Sequence, residues 1–286
     1  MVAPRLPSLL LLTVVACASH SDVPLPAGAF VVQDEGLSEM SGLEASPTHE
    51  GVLWSINDSG NRPTLFRVGT RGESLGRVQV RGATLGDWET LAFWKEGEKT
   101  WLLIGDVGDN HGWRSHVRVY AVPEPGPGDT TADVAWTLSF RYPDGARDAE
   151  GIAVDARDQS LLILSKRDKP ARLYRVPLAA RGMEEPVQAQ FLTTVSVARD
   201  RMFPARPTGL DVSKDGSRMA VLTYKGLFVW NRSIGEDWAA ALARDASEVV
   251  VPRMAKAEAM SFGAEQDVLF VGSERLPAPL MMLTIE

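Results

Sequence analysis

The chain is poor in the residues that build disulfides, soft-metal sites and membrane spans. Cys17 is the only cysteine among 286 residues. No intrachain disulfide can form, and a thiolate zinc site is out of reach. Histidine is scarce as well, with four in all, two of them (His20, His49) early in the chain. No stretch reaches the 18 or so consecutive apolar residues of a membrane-crossing helix. Positive charge is short too. The formal net charge is −7, which argues against nucleic acid or an anionic lipid surface as a charge-driven partner. There is no Gly-x-Ser-x-Gly elbow to mark a serine nucleophile, no low-complexity tract and no domain linker. Glycine and proline are frequent, and they fall between apolar runs, as a protein of short strands requires.

The first residues have the layout of an export signal. One positive charge, Arg5, precedes an apolar run from Leu6 to Ala16 that is too short to span a bilayer. Val14-Val15-Ala16-Cys17 resembles the bacterial lipobox. The resemblance implies cleavage before Cys17 and lipidation of that residue, which would account for a lone thiol in an exported chain. Residues 1–16 are then the signal peptide, residues 17–27 a tether, and residues 28–286 the folded domain. Acyl chains such as palmitate would be the only membrane attachment, and more than one is needed for stable anchoring. Ala18 after the cysteine favours an outer-membrane address in a Gram-negative envelope. The expected protein is a monomer held in the cell envelope.

Five copies of one pattern fill the rest. They begin Ser41-Gly42-Leu43, Glu89-Thr90-Leu91, Glu150-Gly151-Ile152, Thr208-Gly209-Leu210 and Glu258-Ala259-Met260. Each opens an apolar stretch, crosses a polar turn and enters a second apolar stretch. The second stretches are Val52 to Ile56, Trp101 to Ile104, Leu161 to Leu164, Met219 to Leu222 and Val268 to Val271. Each copy ends on a polar residue (Asp58, Asp106, Lys166, Tyr224, Glu274), 16 or 17 residues after its first marker. Such a repeat reads as an all-β propeller of five blades, because each unit has to bury its apolar faces on its neighbours. Continuous apolar second strands fit a sheet covered on both faces. The fifth unit runs out of chain after three strands. Ala29 to Gln33 can supply the fourth and close the ring. A six-bladed ring would need a further unit hidden in residues 178–206 or 231–256, which are short for four strands. Pro123 to Gly128 should end pairing in the second unit, and Ile234 to Arg244 reads as a short helix.

Pairing the start of each first strand with the end of each second strand brings ten polar positions to one mouth of the axial channel. Six are carboxylates: Asp58, Glu89, Asp106, Glu150, Glu258 and Glu274. Lys166 is the one cation among the ten. Crowded carboxylates raise one another's pKa unless a cation intervenes. An all-oxygen ligand set selects a hard ion, and Ca²⁺ tolerates irregular geometry. A Ca²⁺ site on the axis is therefore expected from those six acids. Asn57, Asp109 and Asn110 on two Asp/Asn/Gly-rich loops, with Tyr224, are candidate ligand-binding residues. His111, on the second of those loops, is a candidate base. As plain structure, these loops are tight turns.

Asn57-Asp58-Ser59-Gly60, Asp87-Trp88-Glu89, Gly105-Asp106-Val107-Gly108-Asp109-Asn110 and Asp148-Ala149-Glu150-Gly151 resemble a family of exported bacterial propellers, often labelled phytase-like, esterase-like or simply lipoprotein. The chain is also similar to the gluconolactonase group, in which a metal sits on the axis. That similarity implies acidic metal ligands at Asp58, Glu89, Asp106 and Glu150. The chain shows no counterpart of that group's Asn ligand or catalytic Asp. Calcium-dependent phytases surround phosphate with basic residues, whereas the mouth here offers mainly Lys166, with Arg62, Arg114, Arg167 and Arg206. Two functions follow as expectations. One is recognition of a partner protein, glycan or small ligand at an acidic mouth. The other is metal-dependent hydrolysis of an ester, lactone or phosphoester, with Glu89, Glu150 or His111 as base and Lys166 steadying an anion.

Overall fold

The computed structural model describes residues 24–58, 60–84, 86–197 and 205–285. The signal segment, Cys17 and most of the tether lie outside the described residues, as does Ser59. Among the described residues, twenty-two strands make five sheets. The first sheet holds β2 (Met40–Ala45), β3 (Val52–Asn57), β4 (Thr64–Gly69) and β5 (Ser74–Arg81). The second holds β6 (Trp88–Glu96), β7 (Lys99–Asp106), β8 (Val117–Pro123) and β10 (Trp136–Arg141). The third is β11 (Ala149–Asp155), β12 (Ser160–Ser165), β13 (Ala171–Pro177) and β15 (Gln190–Val195). The fourth is β16 (Pro207–Val212), β17 (Arg218–Thr223), β18 (Gly226–Asn231) and β19 (Ser247–Val249). The fifth is β20 (Ala257–Phe262), β21 (Val268–Ser273) and β22 (Pro279–Thr284), completed by β1 (Phe30–Val31). The first strands of successive sheets touch in a closed ring, β2 to β6, β11, β16, β20 and back to β2. This is a five-bladed propeller. A sixth blade has no place in that ring.

There is no central core. Five separate apolar slabs lie between adjacent blades instead. The slab between blades 2 and 3 joins Leu103, Val119 and Phe140 to Ile152, Ile163 and Tyr174. This is why the second strands read as unbroken apolar runs: each lies in a sheet packed on both faces. The seam is tied by antiparallel pairing of Phe30 with Leu280 and Val31 with Pro279. Gln33 N–H then donates to Gly72 O at 2.8 Å, reaching into blade 1.

Two short strands were not expected. β9 (Thr131–Asp133) leaves blade 2 and pairs in parallel with β5 of blade 1, and β14 (Val187–Gln188) pairs in parallel with β10 of blade 2. The Pro/Gly segment ends β8 at Pro123 as expected, and the loop it forms is held by Arg67, which donates to Gly126 O at 2.7 Å and Pro127 O at 2.9 Å. The expected helix is shorter than its pattern. Only α1 (Trp238–Leu242) forms, capped by Asp237, which accepts from Ala240 N–H at 2.7 Å.

Candidate functional site

The same irregularity sits at the start of all five inner strands. The register slips between Met40 and Gly42, Trp88 and Thr90, Ala149 and Gly151, Pro207 and Gly209, and Ala257 and Ala259. The unpaired residue is in every case the first marker of the repeat: Ser41, Glu89, Glu150, Thr208 and Glu258. A bulge re-aims the side chain it carries. It also shifts the expected pairing by one. Trp88, not Glu89, lies opposite Asp106, and Ala149 lies opposite Ser165. The residue after the bulge is Gly or Ala in four blades and Thr90 in the second, and the next inner strand approaches closely at Gly42 and Gly151. A Cβ on Gly151 would stand 2.8 Å from the backbone nitrogen of Leu210 in the next blade.

The five markers divide by chemistry. The hydroxyls stitch blades together: Ser41 Oγ donates to Glu89 O at 2.8 Å, and Thr208 Oγ1 donates to Ala257 O at 2.7 Å. The three glutamates are buried around the axis with Lys166. The Lys166 side chain is 13% exposed and ion-pairs with Glu150. Glu258, Glu89 and Glu274 also lie within its electrostatic reach. The backbone holds the ends of the second strands: Asp58 N–H donates to Glu39 O at 2.9 Å, Lys166 N–H to Asp148 O at 2.9 Å, and Glu274 N–H to Lys256 O at 3.0 Å.

Burial sets the protonation of this cluster. It pushes Glu89 well above the usual carboxylate range, helped by Glu150, Asp58 and Asp87. Burial likewise raises Glu150 to about 7 against the pull of Lys166. Glu258 rises to about 8 through burial and a shared hydrogen bond with Glu274. Burial acts on Glu274 in the same direction, yet bonds from Glu258 and Lys256 hold it below its ordinary value. Glu258 and Glu274 therefore behave as a pair sharing one proton, with Glu258 as its protonated member. Tyr224 donates its hydroxyl to Glu258, and Lys256 Nζ sits 2.6 Å from Glu274. At neutral pH the ring thus carries fewer charges than its carboxylate count.

Asp58, Asp87 and Glu89 each offer an oxygen within 4.8 Å of the others. Hard-cation bonds of roughly 2.3–2.6 Å could span such a set. Gly108 makes the room, since a Cβ there would collide with the carboxylates of Asp87 and Glu89. These three residues fit an all-oxygen Ca²⁺ site in chemistry and spacing.

The other expected residues are spread more widely. Asp106 is buried, but its carboxylate accepts from Asp87 N–H at 2.9 Å and pairs with Arg114 at 2.8 Å, so it braces the wall behind the triad. The Asn57 amide accepts from Glu39 N–H at 3.0 Å and donates to Gly36 O at 2.7 Å, behind the mouth. Asp109 organises its own loop, accepting from Trp113 and Arg114 N–H at 2.9 Å each. Asn110 lies at the exposed rim, bonded to Arg167. His111 also lies at the rim and stacks on Trp113, ring centroids 4.5 Å apart. Asp87, Asp148 and Lys256 join the site without having been expected there. All three occupy the position two residues before a marker, a periodic signal that would have found them. Asp148 ties the Asp109 loop to Arg167, accepting from Asp109 N–H at 2.9 Å and pairing with Arg167 at 2.5 Å. A second acid pair, Glu44 and Asp211, is buried lower on the inner strands. Burial raises Asp211 to about 7 and pushes Glu44 well up, although Phe262 and Val212 N–H groups each bond Asp211 at 2.7 Å.

No protein-family model matches the chain, and no curated protein does. Among solved structures it is similar to the RRP9 WD40 repeats, with 12% identity over 92% of this chain and 99% of that one, and a TM-score of 0.47. It is similar to a luciferin-regenerating enzyme at 12% identity, covering 90% and 95% of the two chains, with a TM-score of 0.47. It is also similar to the β-propeller domain of Cps50 (Swd1) from Myceliophteria thermophila at 10% identity, covering 86% and 84%, with a TM-score of 0.45. The five-bladed assignment rests on the ring of sheets itself.

Proposed function

We propose that this protein is a lipid-anchored propeller of the bacterial envelope that recognises a ligand or partner at its acidic axial mouth, with Ca²⁺ held by Asp58, Asp87 and Glu89. The observation that carries the reading is the meeting of those three carboxylates at one mouth, beside a lysine already committed to Glu150. Rigid blades with loops at one rim suit recognition, and the fold alone implies no chemistry. Bound Ca²⁺ would supply positive charge and open coordination positions for an oxygen-bearing ligand. A partner protein, a glycan or a small molecule of that chemistry fits, and the protein acts as a monomer. Lipidation at Cys17, with palmitate among its acyl chains, supplies the membrane attachment. The motif resemblance to exported phytase-like, esterase-like and gluconolactonase-type propellers supports this placement.

Calorimetric titration of chelator-treated protein with Ca²⁺ and Mg²⁺ tests the centre. Saturable Ca²⁺ binding that is lost in Asp87→Asn supports it; no heat and no melting shift with either ion refutes it. Metabolic labelling with an alkyne fatty acid tests the anchor, since Cys17→Ser should abolish incorporation.

One observation favours a second reading, a hydrolase of esters, lactones or phosphoesters. Glu150, raised to about 7 beside Lys166, is suited to exchange protons near neutral pH. Ca²⁺-dependent turnover of such a substrate, lost in Glu150→Gln, would establish it. Inactivity across the three substrate classes leaves recognition.

A further inference from the structure

Away from the axis, at the mouth-side edge of blade 2, a cleft of about 300 Å³ opens between the start of β8, the end of β10 and the loop leading to β11. Its lining is opposite in character to the axis. Arg114, Arg141 and Arg147 face it with His116 and Ser115, and no carboxylate lines it. This is a concentration of guanidinium groups on a chain of net charge −7. Two of the three are committed: Arg114 pairs with Asp106 at 2.8 Å, and Arg147 pairs with both Asp144 at 3.0 Å and Asp168 at 3.3 Å. Arg141 has no ion-pair partner among the described residues.

The floor holds the second observation. Tyr142 lines the cleft and is 8% exposed, and its hydroxyl is buried with no hydrogen-bond partner among the described residues. The ring is held by edge-to-face contacts with Phe140 at 5.7 Å and Tyr174 at 4.9 Å. An unpaired buried hydroxyl is unfavourable, so the Tyr142 O–H, with the Arg114 and Arg147 charges close by, calls for an acceptor. Burial and the nearby Asp148 push the phenol pKa up, so the group remains a donor at neutral pH. The lining offers donors almost alone. A planar carboxylate presents two oxygens, whereas a tetrahedral oxyanion presents enough to meet several guanidiniums and a hydroxyl together.

We propose that this cleft binds a phosphoryl group, either free phosphate or the phosphate of a monoester, with Arg141 and the Tyr142 hydroxyl as its defining contacts. The site is independent of the axial centre and of any metal there.

The test is calorimetry of the intact protein in chelator, with inorganic phosphate, glycerol 3-phosphate and acetate as separate titrants, repeated on Arg141→Gln and Tyr142→Phe. Saturable phosphate binding is expected, weakened about tenfold in each variant, as loss of one charge-assisted hydrogen bond predicts. Tighter glycerol phosphate would point to an ester ligand, and equal affinity to free phosphate; either supports the site. Three results would overturn it: no saturable heat with phosphate or ester, acetate binding as tightly as phosphate, or phosphate affinity unchanged in both variants. Tyr142→Phe keeps the ring packing and removes an unpaired hydroxyl, and Arg141 is exposed, so without phosphate neither variant should melt below the parent, which separates lost binding from lost fold.

Discussion

Glu150→Gln should change how the stability of this protein depends on pH. Glu150 is 4% exposed, and its pKa is raised from an ordinary 4.5 to about 7. Between those values the folded protein holds a proton that the unfolded chain releases. The group therefore contributes its full stability below about pH 4.5, and the contribution is lost as pH rises through 7. At about 1.4 kcal/mol for each pH unit, the interval amounts to roughly 3 kcal/mol for this one carboxyl. Glutamine retains an oxygen acceptor for Lys166 but has nothing to ionise. Its removal also takes a repulsive charge from Glu89 and Glu258, which Glu150 pushes up. The expected result is a stability difference between variant and parent that moves by roughly 3 kcal/mol in favour of the variant from pH 5 to pH 8. For a domain of this size that is roughly 6–12 °C in melting temperature. Urea unfolding in chelator, followed by tryptophan fluorescence across that pH range, measures it. Parallel pH profiles for the two proteins would refute the claim that Glu150 is protonated by burial.

Ca²⁺ should stabilise the protein more at pH 8 than at pH 5.5, because it competes with protons on the axial glutamates. At a hundredfold excess over Kd the gain is about 2.7 kcal/mol, read as a melting shift that Asp58→Asn abolishes. Gly151→Ala should cost about 1–3 kcal/mol by driving a methyl into the next blade at Leu210, measured as a lowered urea midpoint with an unchanged slope. Arg232→Met should cost about 3–5 kcal/mol, because it leaves the Asp155 charge, fully buried and paired to Arg232 at 2.6 Å, with no cation and two neutral donors, Arg157 N–H at 3.0 Å and the Trp238 indole N–H at 2.8 Å. Thermal melts at neutral pH would show that loss, and a midpoint within 2 °C of the parent, at about 2–4 °C per kcal/mol, would contradict the buried-pair argument.

The blades were legible because their signal is local. A strand packed on both faces must be apolar throughout, so Leu102-Leu103-Ile104 and Leu161 to Leu164 announce themselves without knowledge of their neighbours. Closure by the N-terminal strand was legible by count, since the fifth repeat holds three strands where the others hold four, and β1 pairs with β22. The bulges were not. Nothing in Glu89-Thr90 or Thr208-Gly209 states that one residue will drop out of the ladder, because the cause is the crowding of five inner strands at the axis. For the same reason Asp106 reads like Asp58 in the repeat but turns to Asp87 N–H and Arg114. The parallel pairings of β9 and β14 depend on which blade lies alongside, and no local pattern records that.

By itself the sequence determined the class, the number of blades and the end of the ring at which polar groups collect. Each follows from residue periodicity and from the need of every blade to cover two apolar faces. Tertiary structure decided which acids share the axis, which of them hold protons, and that Lys166 stands among them rather than in solvent. Those outcomes depend on distances between side chains far apart in the chain and on how much water the closed ring excludes. Desolvation and charge repulsion follow those distances, and they have no counterpart in the spacing of residues along one strand.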